Sequence, residues 1–300
     1  MLKEGGAYER LYWKVAKTKK YGDYGKKSIT IWLDISLDWT WIWHWFRADK
    51  IKWRGIDFLM ETLIVKGIVL SSYDYKEKDK LVEVFTAELG KITAAIKGCK
   101  APNAKLKFAF QPFCFAEFSV IRQGKFYQII DAKLIDSFFA LTYDLSTYYL
   151  SSLLLEVSSV SVEFEEQNPK LFILLANALK YICYDNLPAH LVTAKFCEDV
   201  MNMLGYKISF YKCTNCNMPY TNKIFLNLDS GEFVCGNCKT QNSISISNQA
   251  FATLKILAST DYDRVGTIKI AESVTKEAII ALCKNLEHRL LKILHSYKFI

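Results

Sequence analysis

Residues 61–96 read ETLIVKGIVLSSYDYKEKDKLVEVFTAELGKITAAI, and this stretch decides the fold. Val, Ile, Phe and Thr crowd 61–70, 81–87 and 91–98, a composition that suits pleated strands better than helices. Glu88-Leu89-Gly90-Lys91 reads as a tight hairpin between the second and third of them. Further along, 108–122 and 125–136 continue as strands four and five, joined by a second hairpin at Gln123-Gly124-Lys125. Five short antiparallel strands in so little chain predict a small closed β-barrel over 60–140, with the OB type as the leading candidate.

Beyond about residue 141 the period changes from two to nearly four. Leu145, Tyr149, Leu153 and Val157 recur every four residues. Asn168-Pro169 is a helix start, an N-cap followed by proline at the first helical position, and Leu171, Leu175, Leu179 and Ile182 form the stripe behind it. Leu191, Ala194, Cys197, Met201 and Leu204 form a third stripe, ended by Gly205. The last helix is expected from about Thr275, with Ile279, Cys283, Leu286, Leu290 and Leu294 on one face. The fold class is therefore α+β: the barrel first, then a helical domain over 141–300.

Into that helical half a cysteine segment is inserted, at about 210–240. Cys213-Thr-Asn-Cys216 and Cys235-Gly-Asn-Cys238 stand eighteen residues apart, the spacing of a structural zinc site. Each Cys-x-x-Cys turn aims two thiolates at one point, and two such turns complete a tetrahedron. Asp229-Ser-Gly231 joins Phe225-Leu226 to Phe233-Val234 as the hairpin of a zinc ribbon. Four cysteines close the coordination sphere and leave no position for an activated water. The other five cysteines are scattered, so a disulfide framework is not expected, and Cys197 and Cys283 read as small apolar core residues. The four histidines make no triad or metal cluster, and His288 and His295 read as a helix surface.

Composition excludes several other classes. No run reaches the length of a membrane span, and no apolar signal core follows Met1, so a cytoplasmic location is expected. The net charge of +8 is uneven: twelve Lys or Arg against seven Asp or Glu fall within 1–59. Local clustering must therefore carry any argument for nucleic acid. Such a cluster runs from the third predicted strand through the loop after it, where Lys91, Lys97, Lys100, Lys105 and Lys107 occur without an acid. Cationic loops on a small barrel track a phosphate backbone by displacing its counterions. Lys76, Lys78 and Lys80 are the alternative location. Phe108, Phe110, Phe113, Phe115, Phe118, Phe126 and Tyr127 are mostly expected in the barrel core, with some free to stack on bases.

Residues 60–300 resemble the bacterial RecO family of recombination mediators. The resemblance rests on Met60-Glu-Thr-Leu-Ile-Val-Lys-Gly-Ile-Val-Leu and the residues to Leu81. It continues through Phe85-Thr86, Gly90-Lys91-Ile92, Lys97-Gly98, Gln111-Pro112-Phe113, Leu204-Gly205-Tyr206 and the two cysteine pairs, in that order. It implies an OB-type domain, a helical domain and a zinc module. It also implies binding of single- and double-stranded DNA, annealing of complementary strands, nucleoid association and no bond-making chemistry. RecR and the C-terminal tail of the single-stranded DNA-binding protein SSB are the implied partners. Capture of that tail is expected on the helical half, in an apolar groove edged by lysine, with Lys195, Phe196 and Met203 as candidates. This chain departs from the family at Cys99 and Ala101, where arginines are frequent, and at Asn217, where glycine commonly follows the second cysteine.

Two other function classes compete: a zinc-ribbon adaptor that binds proteins only, and a metal-dependent hydrolase, disfavoured because no His/Asp/Glu set clusters in sequence. Residues 1–59 hold every tryptophan and no proline, and match nothing in the family. They are expected to lie outside the working fold, with Met60 as its start.

Overall fold

The computed structural model describes residues 61–220 and 223–300. The expectation for 1–59 falls outside the described residues.

Five strands close a barrel in the order β1-β2-β3-β5-β4: β1 (Leu63–Asp74), β2 (Lys80–Thr86), β3 (Gly90–Ile96), β4 (Phe115–Gln123) and β5 (Phe126–Asp136). All neighbours are antiparallel except β3 and β5, which run parallel from Ala94 opposite Tyr127 to Ile96 opposite Ile129. The two predicted hairpins form at glycine. Gly90 (φ 71°) closes the β2–β3 turn opposite Thr86, and Gly124 (φ 62°) turns β4 into β5. These left-handed positions suit glycine because it has no Cβ to clash. Alternate residues Val82, Val84, Ile92, Ala94, Ile96, Ala116, Phe118 and Val120 point inward and are buried.

One predicted strand is corrected. Residues 108–114 do not extend β4; Phe108–Phe110 form a single 3-10 turn, and Phe113 takes φ 70°. The positive φ at Phe113 turns the chain out of line with β4, beside a register shift in β1 between Val69 and Ser71. There Val69 exchanges hydrogen bonds with the Phe113–Cys114 pair (Val69 N to Cys114 O 2.9 Å, Phe113 N to Val69 O 3.1 Å). Phe108 and Phe110 close one end of the barrel with Ala109 fully buried, while Phe113 turns to the helical side.

Among the described residues six helices follow: α1 (Leu145–Ser161), α2 (Pro169–Cys183), α3 (Ala189–Met203), α4 (Asn248–Ala258), a single turn α5 (Tyr262–Val265) and α6 (Glu272–Leu290). Asn168 caps α2 as expected, its Oδ1 accepting from Leu171 N at 3.1 Å, and Gly205 (φ 86°) terminates α3. Cys197 on α3 and Cys283 on α6 are fully buried. Leu145, in contrast, is exposed, and the buried side of α1 runs through Leu150, Leu153, Leu154 and Val157. The last helix starts at Glu272 and stops at Leu290, because Leu291 adopts φ 53° and reverses the chain. Leu294 and His295 therefore lie beyond the helix. Leu294 still reaches the core, held by Glu287 Oε1, which accepts from its N–H at 2.8 Å.

The barrel does not stand apart from the helices. Ile68, Leu70, Phe85 and Phe113, on its outer side, join the same apolar cluster as α1, α2 and α3. Phe85 and Phe172 meet edge to face at 5.6 Å. Gly90 packs so closely on the chain before α2 that a Cβ there would collide with the Glu166 carbonyl.

Candidate nucleic-acid interface and candidate metal centre

The β1–β2 hairpin projects from one end of the barrel and carries Tyr73, Tyr75, Lys76 and Lys78 on exposed positions. The loop leaving β3 at the same end is tied to it. Gly98 N donates to Asp79 Oδ1 (2.8 Å), Lys100 N to Lys78 O (3.2 Å) and Lys100 Nζ to Lys76 O (3.3 Å). Two lysine-bearing loops thus become one surface. Together they hold Lys76, Lys78, Lys80, Lys97, Lys100, Lys105 and Lys107 against Asp74, Glu77 and Asp79.

The predicted lysines do not share one situation. Lys97, Lys105 and Lys107 are exposed. Lys100 and Lys80 both pair with Asp74 Oδ1, at 2.9 and 3.1 Å, and these hydrogen bonds hold the Asp74 carboxyl below its ordinary value. Lys91 belongs elsewhere. It is half-buried at the junction with the helices, its Nζ donating to Ser159 O at 2.6 Å, and burial lowers its pKa. Its backbone is engaged there too, Lys91 O accepting from Glu165 N at 2.8 Å. Charge counted along the chain groups Lys91 with the others, whereas β3 separates the two ends of the barrel.

Of the aromatic candidates, Phe113, Phe118 and Tyr127 are buried, Phe108, Phe110 and Phe115 partly so, and Phe126 is half exposed. Tyr127 is also occupied, donating to Glu165 and contacting Arg122. Tyr73 and Tyr75 fall outside that predicted set, although Tyr-x-Tyr between charged residues at a strand end signals rings left outside the core.

The cysteine segment folds as predicted and gains a strand. β6 (Ile224–Asn227) and β7 (Glu232–Cys235) form the hairpin, and β8 (Ser243–Ile246) adds a third strand against β6. The sulfurs of Cys213, Cys216, Cys235 and Cys238 lie within 4.8 Å of one another, and this group could hold a metal ion. Sulfurs placed tetrahedrally about 2.3 Å from an ion stand about 3.8 Å apart. Cys216 Sγ and Cys235 Sγ are 3.8 Å apart. The first turn is shaped by Asn217, whose φ of 60° is tolerated by asparagine better than by most non-glycine residues. Burial opposes ionisation of Cys213, yet N–H groups of Cys216, Cys235 and Asn215 aim at its sulfur and bring its pKa down to about 6. The Cys238 thiol, beside Cys216, is pushed up to about 12. An all-sulfur set gathered this closely suits a cation, which favours the thiolate form of each member.

The hairpin tip is fastened to α6. Asn285 Nδ2 donates to Gly231 O at 2.9 Å, Arg289 Nη2 to Leu228 O at 3.4 Å, and the Arg289 guanidinium lies over the Tyr206 ring at 5.7 Å. His288 Nε2 stands 3.8 Å from Asp229 Oδ1. Gly231 (φ 72°) leaves the room that Arg289 uses. The expected groove residues on α3 are corrected. Lys195 and Phe196 are buried, Lys195 Nζ bonding Asp199 Oδ1 (3.2 Å) and Leu257 O (3.4 Å), and only Met203 is exposed. Helix α4, absent from the predicted elements, covers that face. Among the described residues no helix is long and apolar enough to cross a membrane.

Comparison with known proteins agrees with this architecture. The model of the RecO N-terminal domain matches residues 60–138, and that of the RecO C-terminal domain matches 142–298. The DNA repair protein RecO of Caldicellulosiruptor saccharolyticus is 30% identical over 244 residues, which cover 80% of this chain and 100% of the relative. The DNA repair protein RecO of Clostridium novyi is 28% identical over 221 residues, 74% of this chain and 86% of the relative. That of Bacillus cereus is 24% identical over 220 residues, 73% and 88%. With both family domains matched in order over the barrel and the helical half, this chain belongs to the RecO family of DNA repair proteins.

Proposed function

We propose that this chain is a recombination mediator without bond-making chemistry, binding single- and double-stranded DNA and annealing complementary strands. In this reading it helps load recombinase onto SSB-coated DNA together with RecR, in the cytoplasm at the nucleoid. The observation that supports it is the joining of two lysine-bearing loops at one end of the barrel, with Lys97, Lys105 and Lys107 exposed. The barrel, through about residue 140, supplies the DNA contact, and the half from 141 supplies the metal module and the protein contacts. Cys213, Cys216, Cys235 and Cys238 hold one structural zinc, a role that fits an all-sulfur set with N–H donors around its most buried member. The test is a salt-dependent titration of both DNA forms, with and without RecR and SSB. A mediator gives a steep salt slope and faster annealing on SSB-coated strands; a flat slope and no annealing would refute the reading.

The adaptor alternative keeps one observation in its favour. A cleft of about 790 Å³ beside the ribbon is lined by Met218, Pro219 and Phe225 and edged by Lys223 and Lys239. That chemistry suits an acidic, apolar tail such as SSB's better than the corrected α3 residues do. Lys223→Glu with Lys239→Glu then weakens capture of the SSB tail and leaves DNA binding intact. If DNA binding is absent altogether and tail binding remains, the adaptor reading replaces the first.

A further inference from the structure

Tyr73 and Tyr75 are left 58% and 48% exposed at the end of β1 and the start of its hairpin loop. Neither residue is part of the buried barrel core or the buried helical core. Their spacing of two puts both rings on one side of the extended chain. Tyr75 N donates to Asp79 O at 3.3 Å, which keeps the hairpin closed, and Lys76 Nζ stands over the Tyr75 ring at 5.1 Å. The β3 loop that bears Lys97, Lys100, Lys105 and Lys107 is hydrogen-bonded to this same hairpin. Two outward aromatic rings contribute little to the fold and would cost solubility if they served nothing. Set among the lysines of both loops, they face a partner that is anionic and also offers flat apolar surfaces. Unpaired nucleic-acid bases strung on a phosphate backbone have both properties.

We infer that Tyr73 and Tyr75 are a stacking platform for unpaired bases, which gives the lysine surface its preference for single strands. The inference rests on the DNA-binding reading above. A duplex covers its base faces by stacking, so it can use the lysines but not the rings. A single strand uses both, and its bases are held splayed and available to a complementary strand. The lysine contribution is electrostatic and fades with salt, whereas ring stacking does not release counterions. The two contributions are therefore separable by ionic strength.

The experiment uses the full chain carrying Tyr73→Leu and Tyr75→Leu together, with Tyr73→Phe and Tyr75→Phe as the pair that retains both rings. Binding is followed with a labelled thymidine homopolymer, a labelled duplex, and a strand containing 2-aminopurine, whose fluorescence reports stacking. The leucine pair is expected to lose about 10- to 100-fold in single-strand affinity. Its salt slope and duplex affinity stay unchanged, and 2-aminopurine quenching disappears; the phenylalanine pair restores single-strand affinity and quenching. Equal loss on both DNA forms, or no loss on either while Lys97→Glu, Lys105→Glu and Lys107→Glu together weaken binding, overturns the platform alone. If neither the tyrosine set nor the lysine set matters, the DNA site itself is misplaced and the platform falls with it.

Discussion

Among the described residues, two small β-sheets are kept in shape by opposite means. The barrel has strands of 7 to 12 residues, closes on itself and surrounds its own apolar core. The ribbon has three strands of 4 residues and shares its apolar residues, Leu226 and Phe233, with the helical core. A closed sheet that satisfies its own edges leaves its loops free for charge and exposed rings. A sheet this small cannot offset the entropy of its own ordering by apolar burial, so cysteine chemistry and the α6 fastening must supply the rest. Barrel loops thus present charge and rings to solvent, whereas the apolar side chains of the ribbon are taken up by the helical core.

The largest expected effect tests the ribbon side. Cys213→Ser removes the most buried of the four sulfurs and should abolish metal retention, with a stability loss of about 5 kcal/mol or more. Metal analysis alongside thermal unfolding checks this; a melting curve like that of the parent protein would mean the ribbon holds without an ion.

Next comes the junction that joins barrel to helices. Gly90→Ala places a Cβ at φ 71° against the fixed Glu166 carbonyl and is expected to cost about 3 kcal/mol. Gly124→Ala has a similar φ of 62° but open space around it, so only the backbone conformation is penalised, by about 1 kcal/mol. Equal losses in denaturant titrations would show that strain alone, without the collision, explains Gly90.

On the barrel side the expected change is in binding and leaves stability alone. Lys97→Glu, Lys105→Glu and Lys107→Glu together should reduce the slope of log affinity against log salt by about one for each phosphate no longer neutralised. Lys91→Met should leave that slope alone and destabilise by about 1 kcal/mol, because the donor to Ser159 O is removed while the stem still packs. A slope that responds to Lys91 would place DNA along the barrel–helix junction.

The smallest effect is a change in pH dependence. Glu198 is buried on α3, and burial raises its carboxyl pKa. Folding therefore takes up a proton above the ordinary carboxylate value. Stability contributed by the protonated form is present at low pH and is lost as pH rises through the raised value. Glu198→Gln should lack that part of the decline and melt slightly higher at neutral pH, provided Asn202 still finds an acceptor.

Much of this architecture is legible in the residues alone, and the exceptions have physical causes. Strands β1, β2, β3 and β5 can be read because their apolar pattern ends at turns rich in glycine or charge. The stretch from Phe108 to Phe113 looks like strand for the same reason, yet a 3-10 turn and the positive φ at Phe113, neither marked by a glycine, take it out of line. Helix α4 carries a usable signal: Ser247 caps it through Ala250 N (3.1 Å), and Ala250, Phe251, Leu254 and Leu257 share its buried side. Its eleven residues make a weak pattern beside a strong metal motif, which is why it is easily missed. The four thiols are legible from spacing alone. Lys91 and Lys195 mislead because formal charge says nothing about depth, and a lysine stem can be buried while its ammonium finds a carbonyl.

The outer side of the barrel belongs to the helical core, and this limits how the chain can be taken apart. A fragment ending near residue 140 would bare Ile68, Leu70, Phe85 and Phe113 to water, a ready adhesive for other copies of itself. Chimeras between relatives meet the same obstacle. A transplanted barrel must bring along a matched α2 surface around Phe172 and the Gln167 side chain that donates to Glu88 O, or it arrives with an unfinished side.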